Sequence, residues 1–118
     1  MSMLNRSAII VIPKQPYIDW SKSVFGDDIP FELSGDDAIP VFLGPDADYT
    51  EEINAFVKKH FDFFFEHWLE AWCTDESLWP KRRTRKMFHE WFDVRVHSWV
   101  EDVVDAPLKV FGIAAPDV

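Results

Sequence analysis

Residues 49–72 read YTEEINAFVKKHFDFFFEHWLEAW, and this stretch decides the fold. Acidic residues open it, where the positive end of a helix dipole favours them. The Asp48 carboxylate just before it can accept a hydrogen bond from the Glu51 amide and so cap a helix. At ~1.5 Å per residue, one helix over this range is ~36 Å long. The stretch therefore predicts a single long helix from residue 49 to residue 72.

The apolar side chains of this helix cover a wide arc. At ~100° per residue they span ~240°, whereas a helix that lies on one sheet face needs little more than ~100°. The excess must meet the second half of the chain, a second subunit or another partner. The apolar set is Ile53, Phe56, Val57, Phe61, Phe63, Phe64, Phe65, Trp68, Leu69 and Trp72.

The chain before this helix predicts a β-α-β unit. Residues 7–12 carry apolar side chains on both faces, which is typical of a central strand covered on both sides. Residues 16–25 form a short amphipathic helix that Gly26 ends, and residues 39–43 form the second strand. In such a unit the strands are parallel and the crossover is right-handed. Between them, residues 29–33 alternate as a brief edge strand.

The chain after the long helix predicts a third helix and a third strand. Thr84 can cap a short helix, and residues 94–101 then alternate as a strand with one polar face. Residues 108–113 could add another short strand. The whole predicts an α+β domain over residues 1–118, ordered β-α-β-α-α-β, with a small mixed sheet packed against one long and two shorter helices. An acidic loop spans about 26–38 and a C-terminal tail about 105–118.

Composition narrows the class of protein. The chain has 118 residues and a formal net charge of −9, which argues against general nucleic-acid binding. Its longest apolar run, residues 8–12, is far shorter than the ~20 residues of a membrane span, and no secretory signal is recognisable. Cys73 is the single cysteine, so no internal disulfide can form. We therefore expect a cytoplasmic protein without a membrane segment.

Basic residues are concentrated in one short segment. Five of the twelve, Lys81, Arg82, Arg83, Arg85 and Lys86, fall within six positions. The cluster can pair with carboxylates of its own chain or of a second subunit. Alternatively, it can bind a phosphate-bearing small molecule or an acidic protein, since guanidinium groups suit such anions. The candidate anion-binding residues are Arg82, Arg83, Arg85 and Lys86.

Catalytic signals are weak. His89 and His97 are acid–base candidates if the basic segment belongs to a small enzyme. Cys73 lies beside acidic residues, which disfavours a thiolate. Asp62, Glu66 and Glu70 repeat at every fourth position, as solvated charges on a helix do. No spacing typical of metal ligands or of a nucleotide loop occurs, so we expect no cofactor and no metal, and the sequence leans away from an enzyme.

Parts of the chain resemble a known group of proteins. Residues 73–80, CTDESLWP, followed by Arg83, Met87-Phe88, Trp91-Phe92-Asp93 and His97-Ser98, are similar to small uncharacterised bacterial proteins, mainly proteobacterial. The opening, Asn5-Arg6 to Asp19-Trp20, resembles the start of the same chains. The resemblance covers both ends and much of the middle, and excludes residues 26–37. It implies a shared organisation and no particular activity.

Together these observations predict a non-enzymatic protein-interaction module. It is expected to form a homodimer through the apolar excess of the helix over 49–72. The expected interface residues are Phe63, Phe65, Leu69 and Trp99, of which Trp99 is an exposed anchor on the polar face of its strand. The alternative is an anion-binding domain or small enzyme that uses the basic segment 81–86.

Overall fold

A computed structural model describes residues 1–26 and 39–111, and it confirms an α+β fold. A three-stranded sheet packs against helices, and a two-stranded ribbon extends it. The strands are β1 (Ser2–Met3), β2 (Ser7–Pro13), β3 (Val41–Gly44), β4 (Phe92–His97) and β5 (Glu101–Asp102). The helices are α1 (Gln15–Phe25), α2 (Thr50–Lys59), α3 (Phe61–Trp72) and α4 (Arg85–Trp91), and a single 3₁₀ turn spans Glu76–Leu78.

The three-stranded sheet has the order β3-β2-β4, so β2 is central as its sequence predicts. Both pairings are antiparallel, with Ile9 opposite Phe42 on one side and Val96 on the other. The predicted mixed sheet and parallel β-α-β unit are therefore wrong. A parallel β-α-β unit requires that α1 alone return the chain to the end of the sheet where β2 begins. β3 instead runs antiparallel to β2, and the right-handed rule applies only to parallel strands.

The ribbon of β1 and β5 prolongs the ladder between β2 and β4. Met3 lies opposite Glu101, and the Leu4 amide donates to the Val100 carbonyl at 2.8 Å. The strand predicted over 94–101 thus ends at His97 and resumes at Glu101. Residues 108–111 form no strand. The rest of the predicted strand 108–113, and the edge strand predicted over 29–33, lie outside the described residues.

The predicted long helix is two helices. His60, with φ −111° and ψ 25°, ends α2 and precedes α3, so the single helix over 49–72 is wrong. A straight helix would spread its apolar arc beyond the reach of one small sheet, whereas two helices present separate stripes to the core. Asp48 makes no cap either, because Tyr49 precedes α2 without a side-chain hydrogen bond. Thr84 does cap α4, since its hydroxyl accepts from the Met87 amide at 3.1 Å.

The break at His60 hides most of the apolar arc within one chain. Seven of its ten residues are buried, Phe56 and Phe61 are half-buried, and Phe63 alone stays exposed, at 62%. The width of the arc is therefore no sign of an uncovered helix. The buried seven are Ile53, Val57, Phe64, Phe65, Trp68, Leu69 and Trp72.

Tyr17 anchors α1 to this core. Its ring is completely buried, and its hydroxyl donates to the Trp68 carbonyl. Burial raises the pKa of the Tyr17 phenol far above its ordinary value. Nearby, the Trp79 indole donates to the Cys73 carbonyl at 2.8 Å and fixes the turn after α3. Tyr17 and Trp79 thus pack in the core and also find polar partners there.

Candidate interaction surfaces

The sheet presents a second face away from the helices, so the prediction that β2 is covered on both sides is wrong. Along β2, Ile9 and Val11 point into the core, so the alternating residues lie on the opposite side. The register extends this side across the neighbouring strands, because Ala8 lies opposite Leu43 and His97. We call it the outer sheet face: Ala8, Ile10, Ile12, Val41, Leu43, Asp93, Arg95 and His97.

The outer sheet face is apolar on the β3 side and charged on the β4 side. Val41 and Leu43 are exposed to 60% and 57%. On β4, the Arg95 guanidinium donates to the Asp93 carboxylate at 2.9 Å. The formal charges of these two residues cancel, although the chain as a whole carries −9. This face is therefore a locally neutral, partly apolar surface on an acidic protein.

An apolar groove opens beside β3. The break between α2 and α3 positions it, because Phe56 comes from one helix, Phe63 from the other, and His60 from the junction. The groove has a volume of about 340 Å³. The Phe42 ring lies 5.1 Å from that of Phe64, centroid to centroid. We call this the aromatic groove: Ile9, Phe42, Leu43, Phe56, His60, Phe63 and Phe64.

The outer sheet face and the aromatic groove meet at β3. Leu43 belongs to both, and Val41 and Phe42 point to opposite sides of the same edge strand. Pro40 precedes this strand and Pro45 follows it. Proline has no amide hydrogen, so the edge offers only a short run of backbone donors to another strand. Contacts made here depend mainly on side chains.

The predicted interface residues fall into two groups. Phe65 and Leu69 are completely buried within the single chain, so their assignment to an interface is wrong. The break at His60 turns them into the core. Phe63 and Trp99 are exposed to 62% and 70%, but they line different grooves. The structure therefore keeps Phe63 beside β3 and moves Trp99 elsewhere.

Trp99 lines a small groove near the ribbon, with a volume of about 210 Å³. Its indole donates to the Glu101 carboxylate at 3.2 Å. Asp46 and Asp48, from the turn after β3, contribute to the same groove. Trp99 is exposed as predicted, but it lies between β4 and β5 and not on a strand, and the structure does not join it to Phe63.

Arg83 forms ion pairs and hydrogen bonds within its own chain. Its guanidinium donates to both carboxylate oxygens of Asp62, at 2.7 and 3.2 Å, and to Glu66 at 2.8 Å. It also donates to the Pro80 carbonyl and lies 5.9 Å from the centre of the Trp79 ring. The hydrogen bond to Asp62 raises the pKa of Arg83 above its ordinary value. Arg83 is therefore a structural residue and leaves the predicted anion-binding set.

The other basic residues of the segment remain exposed. Arg82, Arg85 and Lys86 form no ion pair within the described ranges 1–26 and 39–111. Arg85 lines a groove of about 420 Å³ together with two lysines from the end of α2. We call it the basic groove: Ala55, Lys58, Lys59, Phe61 and Arg85.

Lys58 and Lys59 are absent from the predicted anion-binding set. A signal was present, because they are the only basic residues between Lys22 and Lys81. Their approach to Arg85 follows from the end of α2 at Lys59 and from the packing of α4 against α3. No pattern within either segment encodes that approach.

The two acid–base candidates, His89 and His97, share no site in the structure. His89 lies exposed on α4, where its carbonyl accepts from the Lys14 ammonium at 3.1 Å. His97 lies on the outer sheet face, and neither side chain lines the basic groove. Within residues 1–26 and 39–111, no group of three or more His, Cys, Asp or Glu side chains could hold a metal ion. Cys73 is buried, and its thiol donates to the Asp75 carbonyl.

No protein-family model, no curated protein and no solved structure matches this chain. The resemblance to small bacterial proteins therefore stays a prediction. Among the helices of the described residues, none has both the length and the apolar composition needed to cross a bilayer.

Proposed function

We propose that this protein is a non-enzymatic interaction module that forms a homodimer through the β3 side of its sheet. The observation that carries the proposal is the exposure of Val41, Leu43 and Phe63 on adjoining surfaces. Large apolar side chains grouped in this way mark contact sites on soluble proteins. The interface is thus moved from the long helix of the sequence prediction to the outer sheet face and the aromatic groove.

Charge favours a second copy of this chain as the occupant. Two copies, each with a net charge of −9, repel one another over most of their surfaces. The outer sheet face is an exception, because Asp93 and Arg95 cancel. When a two-fold axis relates two copies that face each other through this surface, the Asp93 of each copy lies against the Arg95 of the other. Both ion pairs then form across the interface, while the apolar residues of β2 and β3 lose contact with water.

The edge strand supports a closed dimer and opposes fibre growth. Pro40 and Pro45 bracket β3 and limit how far another strand can extend the ladder. Side-chain packing between two outer sheet faces is isologous, so it ends at two copies. The aromatic groove, at the border of this contact, receives apolar side chains from the second copy.

We also propose that the protein is cytoplasmic and bacterial. A cytoplasmic location agrees with a single buried thiol and with the absence of disulfides among the described residues. A bacterial origin follows from the resemblance at residues 73–98 and at the start of the chain. An acidic protein partner would oppose the net charge of −9 everywhere except near the exposed arginines.

Sedimentation equilibrium tests the dimer with a matched pair of variants. Val41→Glu places a carboxylate in the apolar part of the outer sheet face and is expected to give a monomer. Val104→Glu is the control, because Val104 is similarly exposed, at 67% against 60% for Val41, and lies beyond β5. It should dimerise like the wild type. A wild-type protein that stays monomeric up to ~100 µM, near the weak limit for specific association, would overturn the proposal.

A further inference from the structure

We propose that the basic groove is a binding site for an organic phosphate, that is, a phosphate monoester attached to an apolar or aromatic group. The site is separate from the proposed dimer contact, because the basic groove and the aromatic groove share no lining residue. It also differs from the anion site that the sequence predicts, of which it keeps only Arg85. Three features of the groove support this site: its charge, the position of each cation on its helix, and the residues that line it.

Charge is the first argument. Lys58, Lys59 and Arg85 line one groove, and none of them forms an ion pair in the described part of the chain. Unpaired cations that line one groove repel each other unless an anion or salt screens them. The chain has 21 carboxylates, so local pairing would have been easy to provide. A bound dianion relieves the repulsion.

The position of each cation on its helix is the second argument. Lys58 and Lys59 lie in the last turn of α2, where the negative end of the helix favours cations. Helix electrostatics alone therefore account for the two lysines. Arg85 is the first residue of α4, where a cation is disfavoured. Nothing within α4 explains Arg85, whereas an anion between it and the lysines does.

The lining of the groove defines the ligand. Arginine offers paired donors that match two phosphate oxygens, and lysine adds point charge. Phe61, which is half-buried, and Ala55 supply an apolar wall beside the cations. The volume of about 420 Å³ is in the range of small-molecule sites and exceeds what inorganic phosphate fills. The favoured ligand therefore carries a ring or another apolar body next to its phosphate.

Titration with phenyl phosphate, followed by amide chemical shifts at pH 7.5, tests the site. With a second phosphate pKa of about 6, the probe is mainly a dianion under these conditions. We expect saturable shifts at Lys58, Lys59, Phe61 and Arg85. Inorganic phosphate should bind about tenfold more weakly, because it lacks the apolar group, and phenol should not bind.

A pair of arginine variants separates a built site from diffuse attraction. Arg85→Gln should weaken phenyl phosphate binding at least about tenfold, by loss of a charge-assisted contact. Arg82→Gln is the control, because Arg82 is exposed and unpaired in the same segment but does not line the basic groove. Its affinity should stay within about twofold of the wild type. Lys59→Gln serves as a second groove variant and is expected to weaken binding too.

Three results would overturn the site. The first is a linear, non-saturating titration; the second is an equal effect of Arg82→Gln and Arg85→Gln. The third is Arg85-dependent binding of a hexaglutamate peptide without binding of phenyl phosphate, which would assign the groove to an acidic protein. The monomeric Val41→Glu variant should bind phenyl phosphate as the wild type does. Failure of the dimer and failure of this site are therefore distinguishable.

Discussion

Arg83 and Asp62 form a two-pronged ion pair, with Nε to Oδ1 at 2.7 Å and Nη2 to Oδ2 at 3.2 Å. The pair joins the segment before α4 to the first turn of α3. The Arg83 side chain is 17% exposed and that of Asp62 47%. Asp62 is thus about half-buried, and Arg83 is largely shielded from water. The pair therefore contributes more to the stability of the fold than an ordinary surface ion pair does.

Replacing Arg83 is therefore expected to destabilise the fold. Arg83→Gln should lower the free energy of unfolding by about 1–2 kcal/mol, since Asp62 and Glu66 both lose a charged donor. Urea denaturation measures this difference. Arg82→Gln, one position away and without an ion pair in the described residues, should change stability by less than about 0.5 kcal/mol. Equal effects of the two variants would mean that the ion pair does not contribute to the free energy of unfolding.

Tyr17 makes a second test possible, because its hydroxyl donates to the Trp68 carbonyl in the core. Tyr17→Phe removes that donor and should lower the free energy of unfolding by about 1–3 kcal/mol. Tyr49→Phe is the matched control, since Tyr49 is 68% exposed, and should be nearly neutral. Thermal or urea unfolding of the two variants compares them directly. A neutral Tyr17→Phe would contradict the buried hydrogen bond.

The same tyrosine predicts a dependence of stability on pH. Burial raises the pKa of Tyr17 in the folded protein above the unfolded value of about 10. Above about pH 10, the folded protein therefore keeps the phenol proton of Tyr17, whereas the unfolded chain loses it. The stability linked to this proton is complete below about pH 10 and decreases as the pH rises further. Denaturation between pH 8 and pH 11 should show the decrease in the wild type and a smaller one in Tyr17→Phe.

Much of the fold can be predicted from local patterns. The apolar run of β2 predicts a central strand, amphipathic spacing predicts α1, and Thr84 marks the start of α4. The break at His60 has no such signal, because neither proline nor glycine stands there and tertiary packing bends the chain. The direction of β3 is seen only in its antiparallel pairing with β2. Local spacing cannot encode either feature.

The candidate sites were less predictable than the fold. Phe63 was found because it belongs to a visible apolar arc, but Phe65 and Leu69 share that arc and are buried. The outer sheet face requires knowledge of strand register, which brings Val41, Ile10 and Arg95 into one row. The basic groove joins residues of α2 and α4 that are distant in sequence. Such groupings arise from tertiary structure.

Gly44 provides a test of how closely β3 packs on β2. A Cβ atom at this position would lie 2.5 Å from the Ser7 hydroxyl oxygen and 2.6 Å from Cδ1 of Ile9, both of which belong to completely buried residues. Gly44→Ala must displace β3 or the Ser7 and Ile9 side chains, and should destabilise the protein by about 1–3 kcal/mol. Ser7→Ala, added to Gly44→Ala, removes one of the two clashes and should restore part of the loss. A neutral Gly44→Ala would show that β3 lies further from β2.

The proposed dimer is tested most directly by exchanging charges across its two-fold axis. Asp93→Arg places two arginines of each copy against those of the other, and Arg95→Asp does the same with two aspartates. Each variant alone should repel itself and sediment as a monomer of 13.9 kDa. An equal mixture pairs arginines with aspartates at both contacts.

Sedimentation equilibrium of the two variants, alone and mixed, is the decisive measurement. We expect a monomer for each variant, a dimer for the wild type and a heterodimer for the mixture. A monomeric wild type, or variants that dimerise on their own as strongly as the wild type, would contradict association through the outer sheet face.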